Sequence, residues 1–135
     1  PIEELKNILR LNKKKCITLP VSAPFHCSLM KPAAIKMKEK INSVDFKIPD
    51  FKIVGNVTAT TMNNPNDIKK LLVQQIYSKV RWRESVIFMG ENKINNFIEI
   101  GPGKVLTGLV KRILPNSNFF SINSINDIKN LKNES

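Results

Sequence analysis

The sequence predicts an α/β fold, because short apolar segments typical of strands alternate along the chain with segments of helical periodicity. Of its 135 residues, 41% are hydrophobic, which is enough to build a core. The same composition excludes a chain that is disordered along its whole length. No apolar run reaches the roughly 18 to 20 residues that a membrane-spanning helix needs, so we expect no membrane segment.

The first part of the chain predicts two helices with a proline-rich stretch between them. Residues 2–11 predict a helix, because apolar side chains recur there every three residues. Residues 16–19 have the character of a strand, and Pro20 and Pro24 then favour an extended stretch, since proline fixes φ and disfavours helix in the preceding residue. Pro32 suits a first helical turn. One apolar helical face surrounds it: Met30, Ala33, Ala34, Met37 and Ile41.

The rest of the chain predicts further strands and helices. A turn signal, Gly55-Asn56, ends a strand over residues 51–54. Asn66 or Asp67 is expected to cap the next helix, because short polar side chains accept hydrogen bonds from the free amides of a first turn. The same periodicities predict, in order, helices over 68–77 and 82–90, a strand over 97–100, a helix over 104–114, a strand over 119–122 and a helix over 125–131.

The net charge of +11, from 22 Lys and Arg against 11 Asp and Glu, is typical of proteins that bind phosphates. However, the lysines are spread along the chain, and the only tight run is 13–15. Aromatic residues are 7%, and no zinc-finger or RNA-recognition motif is present. Asn, Lys and Ile are all abundant and share A/T-rich codons, which explains much of the lysine excess. We therefore predict no nucleic-acid partner.

His26 is the only histidine and the first candidate for chemistry. It follows the proline-flanked stretch and precedes a helix, which predicts a position at the end of a strand-like element, where α/β folds bind ligands. An imidazole there could act as a general base, or it could be a half-buried structural histidine. Cys16 and Cys27 lack a CxxC spacing, so we expect no metal site, and free thiols in a reducing compartment. A catalytic role for Cys27 is not expected, because adjacent side chains on an extended chain point opposite ways.

Gly101-Pro102-Gly103-Lys104 lies between a predicted strand and a predicted helix. Free amides there could bind an anion, although a plain tight turn explains the segment more simply. Lys111 and Arg112, near the end of that helix, complement the helix dipole or serve in docking. Trp82 is expected to be a packing anchor.

Three ordered segments resemble the malonyl-CoA:acyl carrier protein transacylase family of acyltransferases. They are residues 19–33 (LPVSAPFHCSLMKPA), 75–86 (QIYSKVRWRESV) and 99–109 (EIGPGKVLTGL). Their order and spacing resemble those of the family, and the resemblance fades only after Arg112. Three motifs in the right order are far more specific than any one of them.

The resemblance implies transfer of a malonyl group from coenzyme A to the phosphopantetheine thiol of acyl carrier protein, through an ester on serine. His26 matches the family's catalytic histidine, which takes the serine proton and returns it to the leaving thiol. Gln75 matches the position whose main-chain carbonyl orients that imidazole. Phe25 matches a bulky residue typical of a malonyl pocket, and Asn56 lies on a loop near the active site, with a supporting role. No cofactor is implied, since the coenzyme A thioester is a substrate.

The chain departs from the family in one large respect, because it contains no G-x-S-x-G elbow for the nucleophile. It also lacks the family's GQG segment and the arginine that binds the malonyl carboxylate. We therefore expect the C-terminal portion of such an enzyme. Residues 1–19 would supply the last helix and strand of a ferredoxin-like small subdomain, and residues 20–135 the C-terminal part of a hydrolase-like parallel-sheet subdomain. Alone, this chain is expected to be inactive and to self-associate or require the missing half.

The implied partners are malonyl-CoA and the acidic acyl carrier protein, in fatty acid biosynthesis. Lys104, Lys111 and Arg112 are the residues expected to form the surface for the carrier and for coenzyme A phosphates. An alternative is a noncatalytic scaffold whose basic surface binds an acidic partner. The Asn, Lys and Ile bias, together with a bacterial type of enzyme, suggests a plastid-like organelle of the apicoplast type in an A/T-rich eukaryote, and a bacterial cytoplasm also fits.

Overall fold

A computed structural model describes residues 2–18 and 21–133 of the chain. The elements alternate as the sequence predicts, and the α/β class is confirmed. In chain order they are α1 (Ile2–Leu11), a 3₁₀ turn (Ser28–Met30), α2 (Lys31–Asn42), β1 (Ile53–Val54), β2 (Thr61–Met62), α3 (Pro65–Gln74), α4 (Trp82–Glu91), β3 (Asn96–Ile100), α5 (Val105–Ile113), β4 (Asn118–Ile122) and α6 (Ile125–Asn133). Among the described residues, no helix is both long enough and apolar enough to cross a membrane.

The strands β3 and β4 pair in parallel, and α5 connects them and packs against both. This is the strand–helix–strand unit that parallel pairing requires, because the chain must return to the same end of the sheet. Phe97 lies opposite Phe119 in the register, and their rings stack with centroids 6.2 Å apart. The alternating exposure along β3 shows that one face of the strand packs while the other does not.

The strands β1 and β2 form a short antiparallel hairpin, with Ile53 opposite Met62. The turn between them contains Asn56 and the buried Ala59, whose φ of +56° is in the left-handed region. The sequence predicts the first strand two residues too long and does not predict β2. Two-residue strands carry too little periodicity to be recognised.

Three local predictions are wrong. Residues 16–18 are not a strand, since nothing in the described part of the chain pairs with them, and residues 19 and 20, with the predicted subdomain boundary, lie outside the described residues. Residues 22–26 form bends and a turn instead of an extended stretch, because the Phe25 amide donates to the Ala23 carbonyl at 2.9 Å. Asn64, not Asn66 or Asp67, caps α3, because Pro65 begins the helix and the Asn64 side chain accepts from the next two amides.

The core of the described chain is small, and large apolar faces remain uncovered. The buried apolar residues come mostly from α2 to α5: Ala34, Ala59, Ile68, Val86 and Val110. By contrast, α1 buries none of its residues, and Leu11 is 83% exposed. On β3, Ile100 is 79% exposed. Exposed apolar side chains on neighbouring positions of one element are typical of surfaces that contact other protein.

Val86 is the one large side chain among the described residues that is fully buried, so it offers the clearest test of the packing. We expect Val86→Ala to lower the free energy of unfolding by about 2 kcal/mol, because it removes two buried methyl groups and leaves a cavity. Val105→Ala is the matched control, since Val105 is also helical but 71% exposed, and a change of less than about 0.5 kcal/mol is expected. Urea denaturation measures both, and equal effects would contradict this packing.

Candidate active site

The imidazole of His26 contacts the main chain at the far end of α3. Its Nδ1 lies 2.8 Å from the carbonyl oxygen of Gln75, a residue 49 positions away in the sequence. His26 lies in a turn with φ of +58°, a conformation that residues other than glycine seldom adopt, and its side chain is exposed in the described chain. The histidine is therefore neither at the end of a strand nor half-buried, which corrects both expectations about its setting.

Gln75 follows the last residue of α3 and keeps helical backbone angles. Its amide still donates into the helix, to the carbonyl of Leu71. Its carbonyl belongs to the end of the helix, where carbonyls have no partner within the helix. The end of α3 therefore offers His26 an acceptor that no other part of the helix uses.

This contact determines which nitrogen of the ring is available for chemistry. A carbonyl oxygen can only accept a hydrogen bond, so Nδ1 carries the proton and donates it to Gln75. In the neutral ring, the lone pair is then on Nε2, on the other side of the imidazole. The arrangement leaves Nε2 of His26 able to take a proton from a group placed beside it.

Asn56 lies in the β1–β2 turn and contacts the side chain of the same glutamine. Its Nδ2 donates to Oε1 of Gln75 at 3.3 Å, and both residues are half-buried. Gln75 thus joins two of the predicted site residues, His26 through its main chain and Asn56 through its side chain. The sequence does not reveal this second contact, because nothing in the spacing of Asn56 and Gln75 indicates it. The roles assigned to the three residues stay predictions.

Phe25 and Cys27 flank the histidine. The Phe25 side chain is largely exposed, at 56% for the whole residue. The Cys27 thiol donates to the Pro24 carbonyl at 3.1 Å, so it is engaged with the preceding turn and not with His26. Phe25 and His26 are thus both exposed in the described chain.

The loop Gly101–Lys104 is a tight turn whose amides are already partly occupied. The φ values of Gly101 and Gly103, +142° and +94°, are ones that side chains disfavour. The Gly103 amide donates to Oδ1 of Asn123 at 2.6 Å. The first amides of α5 donate to the carboxylate of Glu99, from Leu106 at 3.0 Å and from Thr107 at 2.7 Å. The chain therefore supplies its own anion at this helix N-terminus, and the tight-turn interpretation is the better one.

Glu99 has a structural role, although the sequence indicates only its place in the segment 99–109. The Thr107 hydroxyl, and after it the Thr107 and Leu106 amides, hold the pKa of Glu99 below its ordinary value of 4.5. The sequence feature that indicates this capping role is an acidic residue near the end of a strand, shortly before a Gly-Pro-Gly turn and a helix. Such a residue can reach the free amides of that helix.

Lys104, Lys111 and Arg112 are all exposed at the two ends of α5. Lys104 immediately precedes the helix, and the other two lie in its last turn. Lys104 and Lys111 therefore lie at opposite ends of α5, roughly 10 Å apart along its axis. No contact joins these three residues to the His26–Gln75 pair in the described part of the chain.

The His26 side chain is exposed on the surface of the described chain. A cavity of about 340 Å³ lies between the ends of α4 and α5 and is lined in part by Lys93, Asn95 and Asn116. In residues 2–18 and 21–133, no three His, Cys, Asp or Glu side chains are grouped so that they could hold a metal ion. The His26 site is therefore an open surface formed by two turns and a helix end.

Relatives of known name match most of the chain. It is 49% identical over 100 residues to the malonyl CoA-acyl carrier protein transacylase of Bacillus subtilis (strain 168), covering 74% of this chain and 32% of that protein. It is 44% identical over 101 residues to the protein of the same name from Escherichia coli (strain K12), covering 75% and 33%. The chain thus spans about a third of the length of these curated relatives. No family model matches it.

Solved structures match the fold. An acyl-carrier-protein-S-malonyltransferase from Bartonella henselae has a TM-score of 0.87 and 36% identity, covering 98% of this chain and 43% of that one. MCAT from Streptococcus pneumoniae has a TM-score of 0.86 and 37% identity, covering 99% of this chain and 44% of that one. Another match, at TM-score 0.84 and 36% identity over 98% of this chain and 43% of that one, is a malonyl-transacylase in complex with a type II PKS acyl-carrier protein.

The Glu99 carboxylate predicts a specific acid sensitivity. Because its folded-state pKa is lowered, its contribution to stability is present above the unfolded-state pKa and is lost as the pH falls through the folded-state value. We expect Glu99→Gln to lower Tm at pH 7, and the difference from the unchanged chain to shrink as the pH falls below about 4.5.

Circular dichroism melts at pH 7 and at several values below 4.5 measure this difference. Glu39→Gln, at an exposed position of α2, is the control for the loss of one negative charge. A Tm difference for Glu99→Gln that stays constant across these pH values would contradict the assignment.

Proposed function

This chain is a homologue of malonyl CoA-acyl carrier protein transacylases and spans about a third of their length, and from that premise we propose that it is part of an enzyme that transfers a malonyl group from coenzyme A to acyl carrier protein. The single observation that carries the proposal is the 2.8 Å contact between His26 Nδ1 and the Gln75 carbonyl. It leaves Nε2 free for general-base chemistry next to a serine supplied by another part of the polypeptide.

In the first half-reaction, His26 Nε2 takes the proton of the serine hydroxyl while the serine oxygen attacks the thioester carbonyl of malonyl-CoA. The carbon–sulfur bond then breaks, and the coenzyme A sulfur leaves with the proton from the imidazolium. In the second, Nε2 takes the proton of the carrier's phosphopantetheine thiol, whose sulfur attacks the malonyl ester. The serine oxygen leaves and recovers the proton from His26. No cofactor takes part in either step.

Gln75 contributes through its main chain, in the position that an aspartate has in a serine–histidine–aspartate triad. Its carbonyl keeps the proton on Nδ1 and prevents the ring from rotating, while adding no second ionisable group. The Gln75 side chain contributes only through Asn56, whose amide it accepts. We therefore assign Asn56 the role of supporting the glutamine and, with it, the orientation of the histidine.

Phe25 is proposed to form one side of the acyl pocket, since its ring precedes His26 directly and is not packed against the described core. A ring there leaves no room for an α-methyl branch, which favours malonyl over methylmalonyl groups. The carrier and the phosphates of coenzyme A are acidic, and the exposed charges of Lys104, Lys111 and Arg112 on α5 support a docking role for that helix.

The uncovered apolar faces support the proposal that a longer polypeptide completes the enzyme. Residues 1–19 would belong to the small ferredoxin-like subdomain and residues 20–135 to the larger one. An isolated α1 with every residue unburied fits the first assignment, because its apolar side would pack on the rest of that subdomain. The composition bias in Asn, Lys and Ile supports a plastid-like organelle as the location, with a bacterial cytoplasm as the alternative.

Substitutions at the paired residues separate side-chain from main-chain roles. In a polypeptide that carries this chain together with a serine elbow, we expect His26→Ala to lower kcat by about 10² to 10⁴-fold, because the general base is lost. Gln75→Ala keeps the carbonyl, so a loss of less than about 10-fold is expected. Transfer of radiolabelled malonyl from malonyl-CoA to holo-acyl carrier protein is the measurement.

The 135 residues alone, assayed in parallel, are expected to show no turnover, since they contain no G-x-S-x-G sequence. Turnover by this chain alone would mean that the nucleophile lies within these 135 residues and not in another part of the polypeptide. Full activity of His26→Ala would refute the proposed chemistry and favour a noncatalytic basic scaffold.

Charge reversal on α5 tests the docking surface. We expect the double substitution Lys111→Glu and Arg112→Glu to raise KM for acyl carrier protein several-fold at low salt, and less at high salt, because surface charges act mainly through screened attraction. Lys36→Glu with Lys40→Glu makes the same charge change on exposed positions of α2 and is the control. Equal effects of the two pairs, or no dependence on salt, would exclude α5 as the docking site.

A further inference from the structure

Arg81 connects the β1–β2 turn to the beginning of α4. Its amide donates to the carbonyl of Asn56 at 2.9 Å, and its Nη1 donates to the carbonyl of Thr58 at 3.4 Å. Two carbonyls of one turn are therefore held by one residue. Neither the charge of Arg81 nor its place beside Trp82 predicts these contacts, since the turn lies more than twenty residues earlier in the chain.

The start of α4 holds Arg81 itself in place. Its carbonyl accepts both the amide and the hydroxyl of Ser85, each at 2.9 Å, and Ser85 is buried. Its Nε lies 3.5 Å from Oε1 of Glu84. The Glu84 amide, and after it the Arg81 side chain, lowers the pKa of the Glu84 carboxyl, which is therefore ionised near neutral pH. The guanidinium is thus directed between a carboxylate on α4 and a carbonyl of the turn.

The turn that Arg81 holds is the one that contacts Gln75. Asn56 uses its carbonyl to accept from Arg81 and its side-chain amide to donate to Gln75. Gln75 in turn accepts His26 Nδ1 on its main-chain oxygen. Four residues from four separate segments therefore form one hydrogen-bonded series, Arg81–Asn56–Gln75–His26. The main-chain amide of Arg81 makes the first link, and its guanidinium adds a contact with Thr58 in the same turn.

We propose that Arg81 is a positioning residue for His26, acting through the Asn56 turn and Gln75. The inference rests on the proposed function, because the direction of Nε2 matters only if His26 is the base. Arg81 touches neither the imidazole nor any reacting atom. Its side chain is 45% exposed, so the effect of removing the guanidinium is modest. A contribution of roughly 0.2 to 1 kcal/mol is typical of such a group and corresponds to about a 1.4- to 5-fold change.

The first experiment observes His26 directly. It is the only histidine, so ¹⁵N imidazole spectra of the 135-residue chain report on this ring alone. In the unchanged chain, the neutral ring is expected to carry its proton on Nδ1. Arg81→Met keeps the main-chain bond to Asn56 but removes the guanidinium contacts with Thr58 and Glu84. It is expected to increase the Nε2–H form about 1.4- to 5-fold, because the turn that holds Gln75 through Asn56 is then fixed less firmly. Arg83→Met is the control, because it removes an equal charge two residues later. In the described part of the chain, the Arg83 side chain makes no hydrogen bond or ion pair, so the tautomer ratio of His26 is expected to stay unchanged.

The second experiment measures turnover in a polypeptide that also carries the serine elbow. Arg81→Met is expected to lower kcat by a similar factor and leave KM for malonyl-CoA unchanged, while Arg81→Lys, which keeps a donor for Thr58, recovers part of the loss. If Arg81→Met fails to fold, as its amide spectrum would show, Arg81→Lys and Glu84→Gln are compared with Arg83→Met instead. An unchanged tautomer ratio in all of these variants overturns the proposal. Full activity of His26→Ala overturns the proposed function but leaves the tautomer result to decide whether Arg81 positions the ring.

Discussion

Helix ends leave backbone groups without partners inside the helix, and much of this structure depends on how the chain supplies those partners. At the start of α5 the partner is the Glu99 carboxylate, and at the start of α3 it is the Asn64 side chain. In the first turn of α6, Asp127 accepts from the amides of Asn123 and Ser124, which precede the helix, and these bonds together with the Ser124 hydroxyl lower the pKa of its carboxyl. Each pairing also fixes a turn that joins a helix to another element.

The end of α3 is the one such place that the proposed chemistry uses. Gln75 presents a carbonyl there, and His26 reaches it from a turn with an unusual backbone conformation. The cost of that conformation, roughly 1 to 3 kcal/mol for a residue other than glycine, is the kind found where a side chain must face one direction. The same hydrogen bond therefore satisfies the end of α3 and, in the proposed mechanism, orients the imidazole of His26.

The exposed apolar side chains of the described residues bear on how the fold is completed. A two-stranded parallel sheet and an amphipathic helix with no buried residue are poor at excluding water from their apolar sides. The matched structures contain more than twice as many residues as the region they share with this chain, at TM-scores above 0.8. The exposed apolar side chains of α1 and β3 support the proposal that additional polypeptide supplies their neighbours.

By itself, the sequence determined the α/β class, nearly all the helices, the strands β3 and β4, and the family to which the chain is similar. These depend on local periodicity and on motifs that are contiguous, such as the residues around His26. It did not determine the turn around His26 or the Asn64 cap, because local hydrogen bonds decide both. Nor did it show that residues 16–18 form no strand, because a strand also needs a partner strand to pair with. Only the tertiary structure showed that Glu99 closes the N-terminus of α5, and that Arg81, Asn56 and Gln75 form a series ending at His26. Those contacts join segments far apart in the chain, and no periodicity encodes them.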